Sequence, residues 1–142
     1  MAHSITLSLA TLGVVRLPSR FVEATIAASV IVAAVNNIRP ILPERSWTVA
    51  FTFGLVHGFG FANVLTDLGL ARQTLALTLV GFNLGVEVGQ IAIVAVFLPL
   101  AYGLRGSWVY QRLTFRFGSA MIALLAATWM VERTLEVKWL PF

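Results

Sequence analysis

Five apolar stretches alternate with short polar connections along the chain: residues 4–17, 21–38, 47–68, 75–104 and 113–131. Each reads as a helix, because none shows the strict apolar-polar alternation of a strand. Residues 132–142 carry mixed charges and Trp139 and read as an interfacial tail. The first stretch ends at Pro18 and is about 14 residues long, short of the roughly 20 that cross a bilayer. It therefore looks like a helix cut at its start. Ser19 is the expected N-cap of the second helix and Ser46 of the third, with Trp47 as an interface anchor. Pro99 is expected to kink the fourth.

Composition sharpens the class. The 142 residues are 58% hydrophobic and 11% charged, with a mean hydropathy of +0.88. A soluble domain carries about 25% charged residues, so too little polar surface exists here to face water. The expected fold is all-α: a polytopic transmembrane helix bundle forming one domain over residues 1–142, with the lipid bilayer as its principal partner. The formal charge is +4, but the arginines fall in the connections, and the basic residues, Lys138 included, number five on each side of the bundle and leave the orientation open. This distribution makes no nucleic-acid stripe. With no cysteine there is no disulfide framework and no thiolate ligand. The N-terminus lacks the basic start of a signal peptide.

Polar residues inside apolar helices are the candidates for function, because an ionisable group in hydrocarbon is costly and faces a cavity or a partner. The stretch Gly81-Phe-Asn-Leu-Gly-Val-Glu-Val-Gly-Gln90 is the most informative. Asn83, Glu87 and Gln90 stand at i, i+4 and i+7, which places them on one helix face. Gly81, Gly85 and Gly89 fall on the opposite face and would let a second helix approach closely. His57 lies ten residues past Trp47, about 15 Å deeper and near the midplane. Gly54 and Gly58 flank it as a GxxxG pair suited to helix packing, and Gly60 follows. His3, with Ser4 and Thr6, stands at the start of the first stretch, and Glu23 lies in the first turn of the second, near Arg16 and Arg20. Two readings of these polar groups stay open: ligands of a bound ion, or interhelical hydrogen bonds. Val22-Glu23 before Ile26-Ala27 and Val86-Glu87 before Ile91-Ala92, each after a histidine-bearing helix, also raise the idea of two repeated helix pairs.

Ala2-His-Ser-Ile-Thr-Leu7, Val22-Glu23, Phe53-Gly-Leu-Val-His-Gly-Phe-Gly-Phe-Ala62 and Phe82-Asn-Leu-Gly-Val-Glu-Val-Gly-Gln90 resemble successive blocks of the HupE/UreJ membrane proteins, up to about residue 100. The resemblance implies a polytopic protein of the bacterial inner membrane, linked to nickel and sometimes cobalt permeation in hydrogenase or urease maturation. It also implies earlier helices, with a His-x-x-x-Gly-x-Asp-His type block, that are absent from this chain. A homo-oligomer or such helices would complete a transport path. The leading expectation is a non-enzymatic permease, or part of one, for a divalent nickel or cobalt ion, with no tightly bound cofactor. Imidazole and carboxylate suit these ions. His57, Glu87 and His3 are the expected ligands, with Asn83, Gln90 and Glu23 as supporting or alternate ones. The alternatives are an accessory membrane subunit, whose polar groups only join helices, and an intramembrane metal-dependent hydrolase, which would need a third strong ligand and a general base.

Overall fold

Helix α1 (Ala2–Thr11) stops at a glycine. Gly13 adopts φ +76°, the left-handed conformation that glycine enters without cost. Its N–H donates to Ala10 O at 3.0 Å, and that of Val14 donates to Leu9 O at 3.0 Å. This is a Schellman closure, which satisfies the last carbonyls of the helix. The first helix thus ends at Thr11 and not at Leu17. The expected stop was Pro18, but Gly13 closes the helix earlier.

The computed structural model describes residues 2–43, 47–67 and 72–137, and among them all regular structure is helical. The remaining helices are α2 (Ser19–Ile38), α3 (Trp47–Asp67), α4 (Arg72–Leu104) and α5 (Gly118–Leu135). A segment wound in the wider π form, Val109–Phe117, leads directly into α5. That helical run begins four residues before the expected Leu113. Ser107 starts it: its Oγ accepts from Tyr110 N at 3.1 Å, and Gln111 Nε2 donates to Arg105 O at 2.8 Å. At α2, Pro18 occupies the cap position, and no side chain caps the first turn, so Ser19 is helical and is not the cap. The expected cap Ser46 and the tail from 138 lie outside the described residues.

Two helix pairs organise the bundle: α1 lies along α3, and α2 lies along α5. The second pair meets through small buried residues, Ala27, Ser29 and Ala34 on α2 with Ser119 and Ala126 on α5. Asn37 Nδ2 of α2 adds a 3.3 Å bond to Ser119 Oγ. α2 also touches α3, joining the pairs. At that crossing a Cβ on Gly60 would stand 2.6 Å from Ile26 Cδ1, so the end of the Ile26 side chain occupies the space that glycine leaves.

α4 joins only by its N-terminal half. Leu75, Leu79 and Phe82 pack with Leu7, Ala62 and Leu65. Beyond Glu87 every residue of α4 through Leu100 is exposed, and large apolar side chains such as Ile91, Ile93 and Phe97 point outward on all sides. A helix apolar all round belongs in hydrocarbon. Among the described residues, Ser19–Ile38, Thr74–Leu104 and Val109–Leu135 are each long and apolar enough to cross a membrane. The fold is an all-helical transmembrane bundle.

Candidate metal centre

The glycine pair of α3 builds the site. A Cβ at Gly54 would stand 2.8 Å from Ala2 Cβ, and one at Gly58 would collide with Thr6 Oγ1 and the His3 carbonyl. The bare backbone of α3 therefore receives the backbone of α1 directly. Thr6 fixes the contact: its Oγ1 donates to Leu55 O of α3 at 2.6 Å. A hydroxyl bonded to a carbonyl of the facing helix sets both the register and the rotation of α1.

That register carries His3 inward. The residue is 5% exposed, and its ring meets Phe61 edge-on at 6.5 Å between centroids. Phe61 in turn meets Phe82 of α4 at 5.2 Å and 60°. Phe61 is a site residue that composition and spacing did not single out, since a phenylalanine in an apolar helix looks like any other core residue. His3 Nε2 is buried with no hydrogen-bond partner. The His57 imidazole and the Glu87 carboxylate both act electrostatically on His3.

His57 Nδ1 lies 2.7 Å from Phe53 O of its own helix. A carbonyl oxygen only accepts, so Nδ1 donates this bond, and Nε2 is left pointing away from it. Fixing a histidine tautomer through the second nitrogen is the usual way a ligand ring is oriented. On α4 the partly buried positions 78, 82, 83, 86 and 87, with buried Leu79, form the inner face. Asn83 Oδ1 is buried there without a partner. An amide oxygen and an imidazole nitrogen buried without partners are costly in a dry interior unless a further group pairs with them.

The other candidates lie elsewhere. Gln90 is exposed, one turn past the point where α4 leaves the bundle. Glu23 is five residues into α2 and pairs with Arg133 Nε of α5 at 2.7 Å, while Arg20 pairs with Glu136. Its role is accounted for by Arg133 rather than by the dipole of the first helical turn. Glu23 thus pairs with α5, whereas Glu87 lies within electrostatic range of His3, so the two carboxylates do not occupy repeated positions. Gly81, Gly85 and Gly89 have nothing within 4 Å of where a Cβ would be, so among the described residues no helix uses that face. Among the described residues, no three histidine or carboxylate side chains come together at ligand spacing.

The fold and these residues define a class: an integral membrane helix bundle with one buried histidine, His3, and a second, half-buried one, His57, on the helix packed against it. The chain belongs to the HupE/UreJ family, whose pattern, described as HupE / UreJ protein, matches residues 1–133. The match runs well past residue 100, into the last helix. No curated protein and no solved structure matches the chain. The family is associated with nickel or cobalt transport or with urease and hydrogenase maturation.

Proposed function

We propose that the protein is a permease, or the core of one, for a divalent nickel or cobalt ion in a bacterial inner membrane. The observation that carries this reading is His3 Nε2, buried without a partner and within electrostatic range of His57 and Glu87, with Asn83 Oδ1 likewise unpartnered on the inner face of α4. Four donors of nitrogen and oxygen type, from α1, α3 and α4, suit these borderline ions. A carrier must also release its cargo, and a set without thiolate that is not drawn together at ligand spacing fits exchange better than storage. In this reading the ion is substrate, and its arrival draws Glu87 towards the two imidazoles. Glu23 and Gln90 have no part in binding it.

The test is accumulation of nickel and cobalt in cells lacking their own importers. Uptake by the protein should fall at least about tenfold in His3→Ala, His57→Ala and Glu87→Gln, with insertion unchanged. Uptake that stays at the unmodified level in all three would overturn the permease reading and leave an accessory subunit.

A further inference from the structure

A second polar site lies near the other end of α1, away from the histidines. A cavity of about 380 Å³ opens where α1 ends, α2 begins and α3 nears its last turn. Thr11, Gly13, Arg16, Ser19, Phe59 and Asn63 are among its walls, and among the described residues no acidic side chain lines it. Asn63 is four residues before Asp67, the end of α3, so this wall of the cavity lies roughly 6 Å along the helix from that end.

Its polar groups are mostly donors. Asn63 Nδ2 is buried and has no acceptor. Arg20 pairs with Glu136 and Arg133 with Glu23, whereas Arg16 has no ion pair among the described residues. The Schellman turn lets it fold back, with one guanidinium nitrogen 3.7 Å from the Cβ position of Gly13. The first turn of α2 opens into the same space with no side-chain cap, and its free N–H groups add a weak positive end. A guanidinium, an unsatisfied amide donor and uncapped N–H groups, with the nearby Glu23 and Glu136 engaged by Arg133 and Arg20, call for an oxyanion.

We propose that this cavity binds a phosphate group, which in a membrane is the phosphodiester of an anionic lipid headgroup. The volume accommodates a phosphate with its glycerol, and Phe59, Ala62 and Leu17 give the adjoining chain an apolar wall. Basic pockets between membrane helices are suited to such headgroups. The site is independent of the metal centre, so either reading can fail without the other.

The experiment uses the purified, delipidated protein in a neutral detergent and follows its thermal unfolding. The probes are phosphatidylglycerol, phosphatidylcholine and inorganic phosphate. Phosphatidylglycerol should raise the midpoint by at least about 3 °C. Arg16→Gln should lose most of that rise, Arg16→Lys should keep part of it, and Asn63→Ala should reduce it. Arg105→Gln, at a site where the guanidinium stacks 3.8 Å above the Tyr102 ring, is the control and should keep the full rise. A rise with inorganic phosphate alone supports the phosphate site and assigns it to the free ion. An equal rise with phosphatidylcholine and phosphatidylglycerol, or a full rise in Arg16→Gln, would overturn the proposal.

Discussion

Gly58 lies directly beneath His3: a Cβ at position 58 would come within 2.9 Å of the His3 Cα. One hydrogen atom on α3 is the space in which α1 sits. Gly58→Ala should therefore push α1 off its seat and cost about 1–3 kcal/mol, as overpacking does. Metal uptake should fall with it. Gly85→Ala is the matched comparison, because nothing lies within 4 Å of that position. Its unfolding midpoint in detergent should be unchanged or slightly higher, since alanine is the better helix former. A marked drop in Gly85→Ala would reveal a helix of another chain on that face.

Thr6→Val removes the donor to Leu55 O while keeping the shape of the side chain. Such interhelical bonds in membranes average about 0.6 kcal/mol, so the loss of stability should be modest. The effect on uptake should exceed the effect on stability, because the bond sets the rotation that points His3 inward. Equal uptake in Thr6→Val and the unmodified protein would show that packing on Gly58 alone fixes α1.

Asn83→Leu should weaken metal binding about tenfold without unfolding the protein, as replacement of a supporting ligand does. Cobalt absorption of the purified protein is the direct readout. A nitrogen and oxygen donor set gives ligand-field bands without the intense thiolate charge transfer, in keeping with a chain that has no cysteine. His57→Ala should abolish those bands. Unaltered bands in both variants would place the cobalt elsewhere.

Glu23 and Arg133 form an ion pair whose side chains are 28% and 47% exposed, so solvent screens much of it. A double-mutant cycle of Glu23→Gln with Arg133→Gln should return a coupling of no more than about 1 kcal/mol. Glu23→Gln should transport metal normally, in contrast to Glu87→Gln. Loss of uptake in both would restore Glu23 to the site.

Much of this was legible in the sequence. The apolar stretches marked the helices, and the periodicity of residues 83 and 87 placed the polar face of α4 opposite its glycines. Gln90 shares that periodicity, yet it is exposed, because periodicity fixes a direction around the helix and says nothing about where the neighbouring helices stop. Gly13 carried a readable stop signal, but Pro18 is the more conspicuous breaker and masked it. The pairing of Glu23 with Arg133 was not legible, since it depends on which distant helix lies against α2. Nor could spacing tell that the pair Gly54 and Gly58 receives a helix of this chain whereas Gly81, Gly85 and Gly89 do not. The two glycine series have the same period and differ only in what the topology brings to them.

The seating of α1 on bare α3 backbone has a mechanical consequence. His3 is fixed to α3 through main-chain contact and a threonine bond, so the two imidazoles travel as one body. Glu87 rides on α4, which meets that body through a small apolar patch and the Phe61–Phe82 ring contact. The separation of nitrogen from carboxylate is thus governed by a single hinge-like coordinate, the tilt of one long helix against a stationary pair.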